Sequence, residues 1–317
     1  MLPIVGIGAG LVSALLFAVV ITGSPLAVLL YSAAPLPIFI AALGWNHRAG
    51  LVAMAAGAVA GAVALSLPAG LNFALIVALP AWWIAYLALL ARGDGNGTTE
   101  WYPLGHLLVW IAATAALTTV GSALVMTTDY DTYRSVIARV IENLLNEMVR
   151  GQLITLTPDA NLSELAQRLA PAVPVGIGAS FVTTLVANLW LAAKAVQVSG
   201  RLPRPWPFIP ATTVPRRALF LLAAALVTIS FGGFIGVAGA ALTGALLAVF
   251  MFSGLALIHD LTRGKPWRAP ALIAVYVALI VMQALLTPLL TLAGMADSLF
   301  GLRKRGPKPP LPPTVNT

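Results

Sequence analysis

Long apolar runs separated by short polar breaks make up most of this chain. About twenty apolar residues are needed for a helix to cross the hydrocarbon layer of a membrane. The run 217–232 is shorter than that, and the run 269–296 is longer. The runs cover residues 3–22, 26–44, 50–67, 71–91, 104–126, 172–195, 217–232, 234–258 and 269–296. This pattern predicts an all-α fold, a polytopic transmembrane helical bundle with eight or nine hydrophobic segments.

One long polar segment, residues 127–171, interrupts the apolar runs. In its first part, apolar residues recur at helical spacing with charged residues between them, which indicates an amphipathic helix. The apolar positions are Val136, Ile137, Val140, Ile141, Leu144, Leu145, Met148 and Val149. A shorter amphipathic helix is predicted after Pro158, with one apolar side formed by Leu162, Leu165, Ala166 and Leu169. We expect both helices to lie on the bilayer surface or to cap the bundle.

The same patterns divide the chain into four parts. Residues 1–126 form a first transmembrane half of about five spans, and residues 172–300 form a second half of three or four spans. The amphipathic insert, 127–171, separates the two halves. The last part, 301–317, is a basic, proline-rich tail whose composition predicts disorder.

The distribution of basic residues predicts the orientation of the bundle. Lys and Arg lie in the second, fourth, sixth and eighth loops, whereas the first, third and seventh loops contain none. By the positive-inside rule, the basic loops and the N-terminus lie in the cytoplasm and the insert lies outside. Nine crossings would place the basic tail outside. We therefore expect eight full crossings, with either one re-entrant run or a last run that bends back near Pro288.

Composition narrows the range of functions. Hydrophobic residues make up 60% of the chain and charged residues 9%, and there are no cysteines. Disulfides, thiol catalysis and Cys-ligated metals are therefore excluded. The formal net charge of +8 resides mostly in loops, insert and tail. Basic residues in the loops are typical of a membrane protein, where they set its orientation. We therefore expect no nucleic-acid partner.

The centres of the apolar runs contain no Asp, Glu, Lys or Arg. Charges inside a membrane usually mark ion pathways or proton relays, so their absence argues against a carrier coupled through a carboxylate. The sequence also has no His-Glu-x-x-His motif and no phosphate-binding loop. We expect no enzyme activity, no catalytic residues, no metal and no cofactor.

Small residues recur at every fourth position on three of the predicted helices. Such ridges let helix backbones approach closely in lipid, either within one chain or between proteins. The ridge on the first helix is the predicted interface for a partner helix, and it consists of Gly6, Gly10, Ala14 and Ala18. The other two ridges consist of Ala53, Gly57 and Gly61, and of Gly236, Ala240, Gly244 and Ala248.

The polar residues that enter the membrane are neutral. Together they could line a pocket for an uncharged or aromatic small molecule. Aromatic residues near span ends are also typical of the membrane interface, and Thr or Asn within a span also bonds neighbouring helices. The candidate ligand-binding residues are Asn72, Trp83, Tyr86, Thr184, Asn188 and Gln283.

Several short motifs resemble those of a known family. They are Arg201-Leu-Pro-Arg-Pro-Trp206, Gly232-Gly233, His259-Asp260-Leu-Thr-Arg-Gly264 and the closing segment from Gly294 to Arg303. In these motifs and in the order of its elements, the chain resembles the YybS-like family of uncharacterised bacterial membrane proteins (domain of unknown function 2232). The resemblance implies a multi-pass protein of the bacterial cytoplasmic (inner) membrane.

That family is distantly similar to the S components of energy-coupling-factor transporters. Such components meet their partner through an Ala-x-x-x-Ala face on the first helix, which Ala14 and Ala18 match. The resemblance therefore implies, besides the lipid bilayer, a transmembrane coupling protein and ATPase subunits as partners. The chain departs from S components in its number of spans and its long insert.

Two functions follow from these observations. The first is a passive subunit that binds a small solute and is driven by a partner ATPase complex. It fits the neutral span interiors, the missing phosphate loop and the small-residue ridge. The alternative is a membrane scaffold or interaction protein that transports nothing, with the insert or the proline-rich segment after Arg201 as its contact surface.

Overall fold

The computed structural model describes residues 2–93, 99–155 and 161–303. Most of these residues are helical, which confirms the all-α prediction. The helices are α1 (Leu2–Ala18), α2 (Pro25–Ser32), α3 (Pro35–Trp45), α4 (His47–Ala64), α5 (Leu67–Phe73), α6 (Leu79–Ala88), α7 (Leu104–Met126), α8 (Tyr130–Arg150), α9 (Leu162–Leu169), α10 (Val173–Val198), α11 (Arg217–Ile229), α12 (Gly233–Leu261), α13 (Arg268–Val281) and α14 (Gln283–Phe300). Two short antiparallel strands, β1 (Ala91–Gly93) and β2 (Thr99–Trp101), place Arg92 opposite Glu100.

Eight apolar segments within the described ranges are long enough to cross a membrane. Three of them join two α-helices each: α2 with α3, α5 with α6, and α9 with α10. The short run 217–232 forms α11, whose 13 residues fall below that length. The long run 269–296 breaks at Met282, between α13 and α14, whereas Pro288 lies inside α14. The prediction of a bend near Pro288 was therefore wrong in its position.

The chain forms two compact units. Unit 1 comprises residues 1–208 and 214–249, and unit 2 comprises residues 209–213 and 250–317. The boundary in the second half falls inside the 29-residue helix α12. The insert, 127–171, belongs to unit 1. The sequence-based division into 1–126, 127–171 and 172–300 stays a prediction.

Unit 1 is packed through small residues. A Cβ added to Gly6 would lie 2.7 Å from the Ala49 carbonyl oxygen of α4, and one added to Gly10 would overlap the Ala53 carbonyl oxygen. Helices α1 and α4 therefore approach closely enough for their backbones to touch. The same type of contact joins α10 to α12, where Gly178 meets the backbone of Ala241.

Aromatic residues attach the insert to the rest of unit 1. As predicted, its two helices form, as α8 and α9. Tyr133 is buried with Ala123 of α7 and Val237 of α12. The ring of Phe234 lies 5.9 Å from that of Tyr130 and 5.8 Å from that of Tyr133, measured between centroids. The start of α8 therefore packs on the ends of two spans.

Unit 2 is held by close backbone packing and by the ion pair between Asp297 and Arg303. Gly254 of α12 contacts the backbone of Leu290, and Gly294 of α14 contacts that of Phe250. Gly301 ends α14 in the left-handed conformation (φ 62°), which lets the chain turn back. The residues that follow Arg303, which form nearly all of the predicted tail, lie outside the described range.

Candidate functional site

The second span is interrupted in the middle by its own sequence. Helix α2 ends at Ser32 and α3 begins at Pro35. A proline ring has no N–H group and clashes with the carbonyl four residues earlier, so Pro35 and Pro37 disrupt the helical hydrogen bonds at this point. The Leu36 N–H donates to the Ala33 carbonyl instead of the Ser32 carbonyl. The Ser32 oxygen consequently needs another donor inside the bundle.

Asn188 of α10 supplies that donor. Its Nδ2 donates to the Ser32 carbonyl oxygen at 2.8 Å and to the Thr184 carbonyl oxygen at 2.8 Å. Two acceptors on the same nitrogen fix the orientation of the amide. The Asn188 side chain is 5% exposed, and its Oδ1 has no hydrogen-bond partner among the described residues. A buried acceptor without a partner costs about 1–3 kcal/mol, so this oxygen is ready to accept a hydrogen bond from a ligand or a water molecule.

A second side chain meets the same break from α1. The Ser13 hydroxyl is fully buried and donates to the Ala34 carbonyl oxygen at 2.5 Å. The two carbonyls on either side of Ala33 are thus bonded by neutral side chains from two different helices. No charged group is needed to stabilise this break.

Aromatic rings border the break on one side. Tyr31 immediately precedes Ser32, and the ring of Phe17 on α1 lies 5.6 Å from that of Tyr31. Phe17 also packs edge to face against Phe73 of α5, with 5.5 Å between the centroids. The surroundings of the break are therefore apolar and aromatic, with hydrogen-bonding groups limited to neutral amides, hydroxyls and backbone carbonyls.

The predicted ligand-binding residues do not form one group. Thr184 and Asn188 come together at the break, as their spacing on one helix requires. Asn72 and Tyr86 lie on the same span, but they are fourteen positions apart, which corresponds to about 20 Å along a helix. Gln283 is exposed and belongs to unit 2. Thr184 and Asn188 are thus in contact, whereas the ligand-binding role of the six residues stays a prediction.

Trp83 and Tyr86 belong to an aromatic cluster at the end of α6. Their rings stack at 5.8 Å, and Trp83 also meets Trp110 of α7 at 5.7 Å. The Trp110 Nε1 donates to the hydroxyl of Tyr102 at 2.9 Å. Aromatic residues at span ends are typical of the boundary between membrane and water, so we expect this cluster to lie at that boundary.

The predicted partner-helix interface is occupied within the chain. Gly6 and Gly10 meet the backbone of α4, Ala14 is buried and Ala18 is half-buried. This face is consequently closed to a second protein in the described conformation, and the intramolecular alternative holds for it. The outward face of α1 consists instead of large apolar residues, among them Ile4, Ile7, Leu11 and Leu15.

Ser13 was missed by the sequence interpretation. One hydroxyl in an apolar helix does not stand out, because it can bond its own backbone. The available signal was the pair Pro35 and Pro37, which predicts unsatisfied carbonyls in the middle of a span and hence donors on its neighbours. Among the described residues, no three His, Cys, Asp or Glu side chains come close enough to hold a metal ion.

A bundle of apolar spans, with the break in the second span bonded by neutral side chains, defines an integral, multi-pass membrane protein. The chain belongs to the family described as predicted membrane protein (DUF2232), whose model matches residues 11–298. No curated protein and no solved structure matches it. Membership of this family confirms that part of the predicted resemblance, whereas the YybS-like name and the similarity to S components stay predictions.

Proposed function

We propose that this protein is a passive membrane subunit that binds an uncharged small solute at the break in the second span, like the S component of an energy-coupling-factor transporter. The observation that supports it is the Asn188 Oδ1, a buried acceptor without a partner among the described residues. The solute would donate an N–H or O–H group to that oxygen and pack against the rings of Phe17 and Tyr31.

The chemistry of the break favours a neutral solute. A charged group would lose its hydration without gaining a counter-ion, because the groups named at the break are neutral. Aromatic and apolar surroundings with a few polar groups are typical of small-molecule sites. The proposed role involves binding only, with energy supplied by partner ATPase subunits. A partner would have to dock on a surface other than the ridge of α1.

Native mass spectrometry of gently solubilised protein tests this function. We expect a co-purifying small molecule with the wild type, and its loss from Asn188→Leu. Asn72→Leu is the matched control, since it makes the same replacement elsewhere in the membrane, and it should retain the molecule. Retention by Asn188→Leu, or the absence of any small molecule from wild-type protein, would contradict the proposal.

The alternative function, a membrane scaffold, is supported by the exposed side of α8. Val140 and Leu144 of this amphipathic helix are each 59% exposed. A stoichiometric protein partner recovered without any small molecule would favour this alternative. Its loss from a variant with Val140→Asp and Leu144→Asp would assign the contact to α8.

A further inference from the structure

Four helix ends meet at one end of unit 1. Gly44, near the end of α3, lies close to Val196, near the end of α10. The Trp82 Nε1 of α6 donates to the carbonyl of His47 at the start of α4, at 3.1 Å. The ring of His47 also meets that of Tyr86 at 5.2 Å. The ends of α3, α6 and α10 and the start of α4 therefore form a single surface.

Loop 201–208 lies across this surface and is fixed by contacts of its own arginines and of Lys194 on α10. The Arg201 guanidinium lies 4.6 Å from the centre of the Trp45 ring, and the Lys194 ammonium lies 4.6 Å from that of Trp206. The Arg204 Nη1 donates to the Ala88 carbonyl oxygen at the end of α6, at 3.1 Å. Cation–π contacts and a bond to a helix C-terminus hold these side chains in defined positions.

The cations of this surface have little negative charge to balance them. Arg92 pairs with Glu100 at 3.6 Å. Across the described ranges, Arg48, Lys194, Arg201 and Arg204 make no ion pair with an acidic side chain. Arg48 lies in the first turn of α4, where the helix dipole disfavours a cation. An anion at that position would be stabilised by both the side chain and the helix.

The depth of the surface identifies the source of that anion. The cluster of Trp83, Trp110 and Tyr102 lies where α6 ends and α7 begins, beside this surface. Such aromatic residues are typical of the level of the lipid headgroups. Anionic lipids attract basic residues at this level with about 1 kcal/mol for each side chain. A guanidinium stacked on a ring keeps its N–H groups in the plane, where they can bind a phosphate through two hydrogen bonds.

We propose that this surface, built around Arg48, Lys194 and Arg201, is a binding site for the headgroup of an anionic phospholipid. Trp45 and Trp206 hold two of these cations in place, so little side-chain freedom is lost when the phosphate binds. The glycerol and the first methylenes of the acyl chains would pack on the exposed parts of the same rings. This site is independent of the solute site at Asn188.

Native mass spectrometry can count the phosphatidylglycerol molecules that stay bound after reconstitution into phosphatidylcholine nanodiscs containing that lipid. The variant with Arg48→Gln and Arg201→Gln should retain it at least tenfold more weakly, because each lost cation contributes a several-fold factor. The matched control, Arg134→Gln with Arg139→Gln, removes two exposed arginines from α8 and should retain the lipid like the wild type.

Two further samples keep the test independent of folding. Arg48→Lys with Arg201→Lys preserves both charges but not the two parallel hydrogen bonds of a guanidinium, so it should recover part of the retention that the glutamine variant loses. Excess inorganic phosphate should leave the wild-type complex intact, because the lipid is also held by its acyl chains. Equal retention by all variants, equal loss from the α8 control, or displacement by inorganic phosphate would overturn the proposal of a lipid site.

Discussion

The two units stabilise their helices with different chemistry. In unit 1, glycines bring helices into backbone contact, and the break in the second span is bonded by the neutral side chains of Ser13 and Asn188. In unit 2, glycines also bring α12 and α14 together, but the polar link is ionic. The Arg303 Nε donates to the Asp297 Oδ2 at 2.8 Å, and the side chains are 10% and 0% exposed.

Arg303 also links distant parts of the chain within unit 2. Its Nη2 donates to the Ser253 carbonyl oxygen at 3.2 Å, and its Nη1 donates to the Pro210 carbonyl. One guanidinium therefore joins α12, the segment 209–213 and the end of α14. Replacing one neutral side chain at the break removes a hydrogen bond. Replacing one partner of a buried ion pair also leaves the other charge buried without a counter-ion. Unit 2 should accordingly be the more sensitive to single substitutions.

The largest effect is expected from Arg303→Gln. This change leaves the Asp297 carboxylate buried without a counter-ion and should lower the free energy of unfolding by about 3–5 kcal/mol. Titration with a denaturing detergent measures it. Arg150→Gln is the control, because the Arg150–Glu147 pair (3.0 Å) is exposed, and it should cost less than about 1 kcal/mol.

A double variant separates charge from packing in unit 2. Asp297→Leu with Arg303→Met removes both charges at similar volume, and such replacements of a buried pair are often neutral. It should recover much of the stability that Arg303→Gln loses. If Arg303→Gln unfolded at the same detergent concentration as Arg150→Gln, the proposed difference between the units would be wrong.

The close packing of unit 1 can be tested with one methyl group. Gly10→Ala places a Cβ against the Ala53 carbonyl oxygen and should cost about 1–3 kcal/mol, because the helices must move apart. Gly8 lies on the same helix with nothing within 4 Å of an added Cβ. Gly8→Ala should therefore leave the unfolding transition unchanged. Equal behaviour of the two variants would contradict backbone contact between α1 and α4.

A smaller effect is expected at the break in the second span. Ser13→Ala leaves the Ala34 carbonyl without its side-chain donor and should cost about 1 kcal/mol, the usual size for a hydrogen bond between membrane helices. Thr183→Val is the control, because the bond of the Thr183 hydroxyl within the described ranges goes to the Ala179 carbonyl, one turn earlier on its own helix. A cost as large as that of Arg303→Gln would show that the neutral and ionic links do not differ.

The spans and the insert were predictable because each depends on a local pattern. Runs of about twenty apolar residues and a helical repeat of apolar positions are readable without knowing what packs against them. The break after Ser32 was not predicted, because the run 26–44 is continuously apolar and conceals it. Its two prolines were the only local sign.

The polar links depend on contacts that no local pattern contains. Asn188 was identified as a candidate, but its partner Ser32 lies 156 residues earlier. Asp297 and Arg303 are six residues apart, a spacing that does not bring two side chains together on a helix. They meet because Gly301 reverses the chain, and Pro210 and Ser253 are then brought in by the tertiary fold.

The smallest effect concerns a charge that unit 1 carries on its surface. Asp129 caps α8, and its Oδ2 accepts hydrogen bonds from the hydroxyl and the backbone N–H of Thr132. These bonds lower the pKa of Asp129 below its ordinary value. The stability that the ionised Asp129 gives to the start of α8 is therefore complete above the ordinary carboxyl pKa. It is lost as the pH falls through the lowered pKa of the folded protein. We expect the hydrogen-exchange protection of the Thr132 amide to fall over that acidic range. Asp129→Asn caps the helix without a titratable group and should show no such loss. A parallel loss in both proteins would assign the pH dependence to another group.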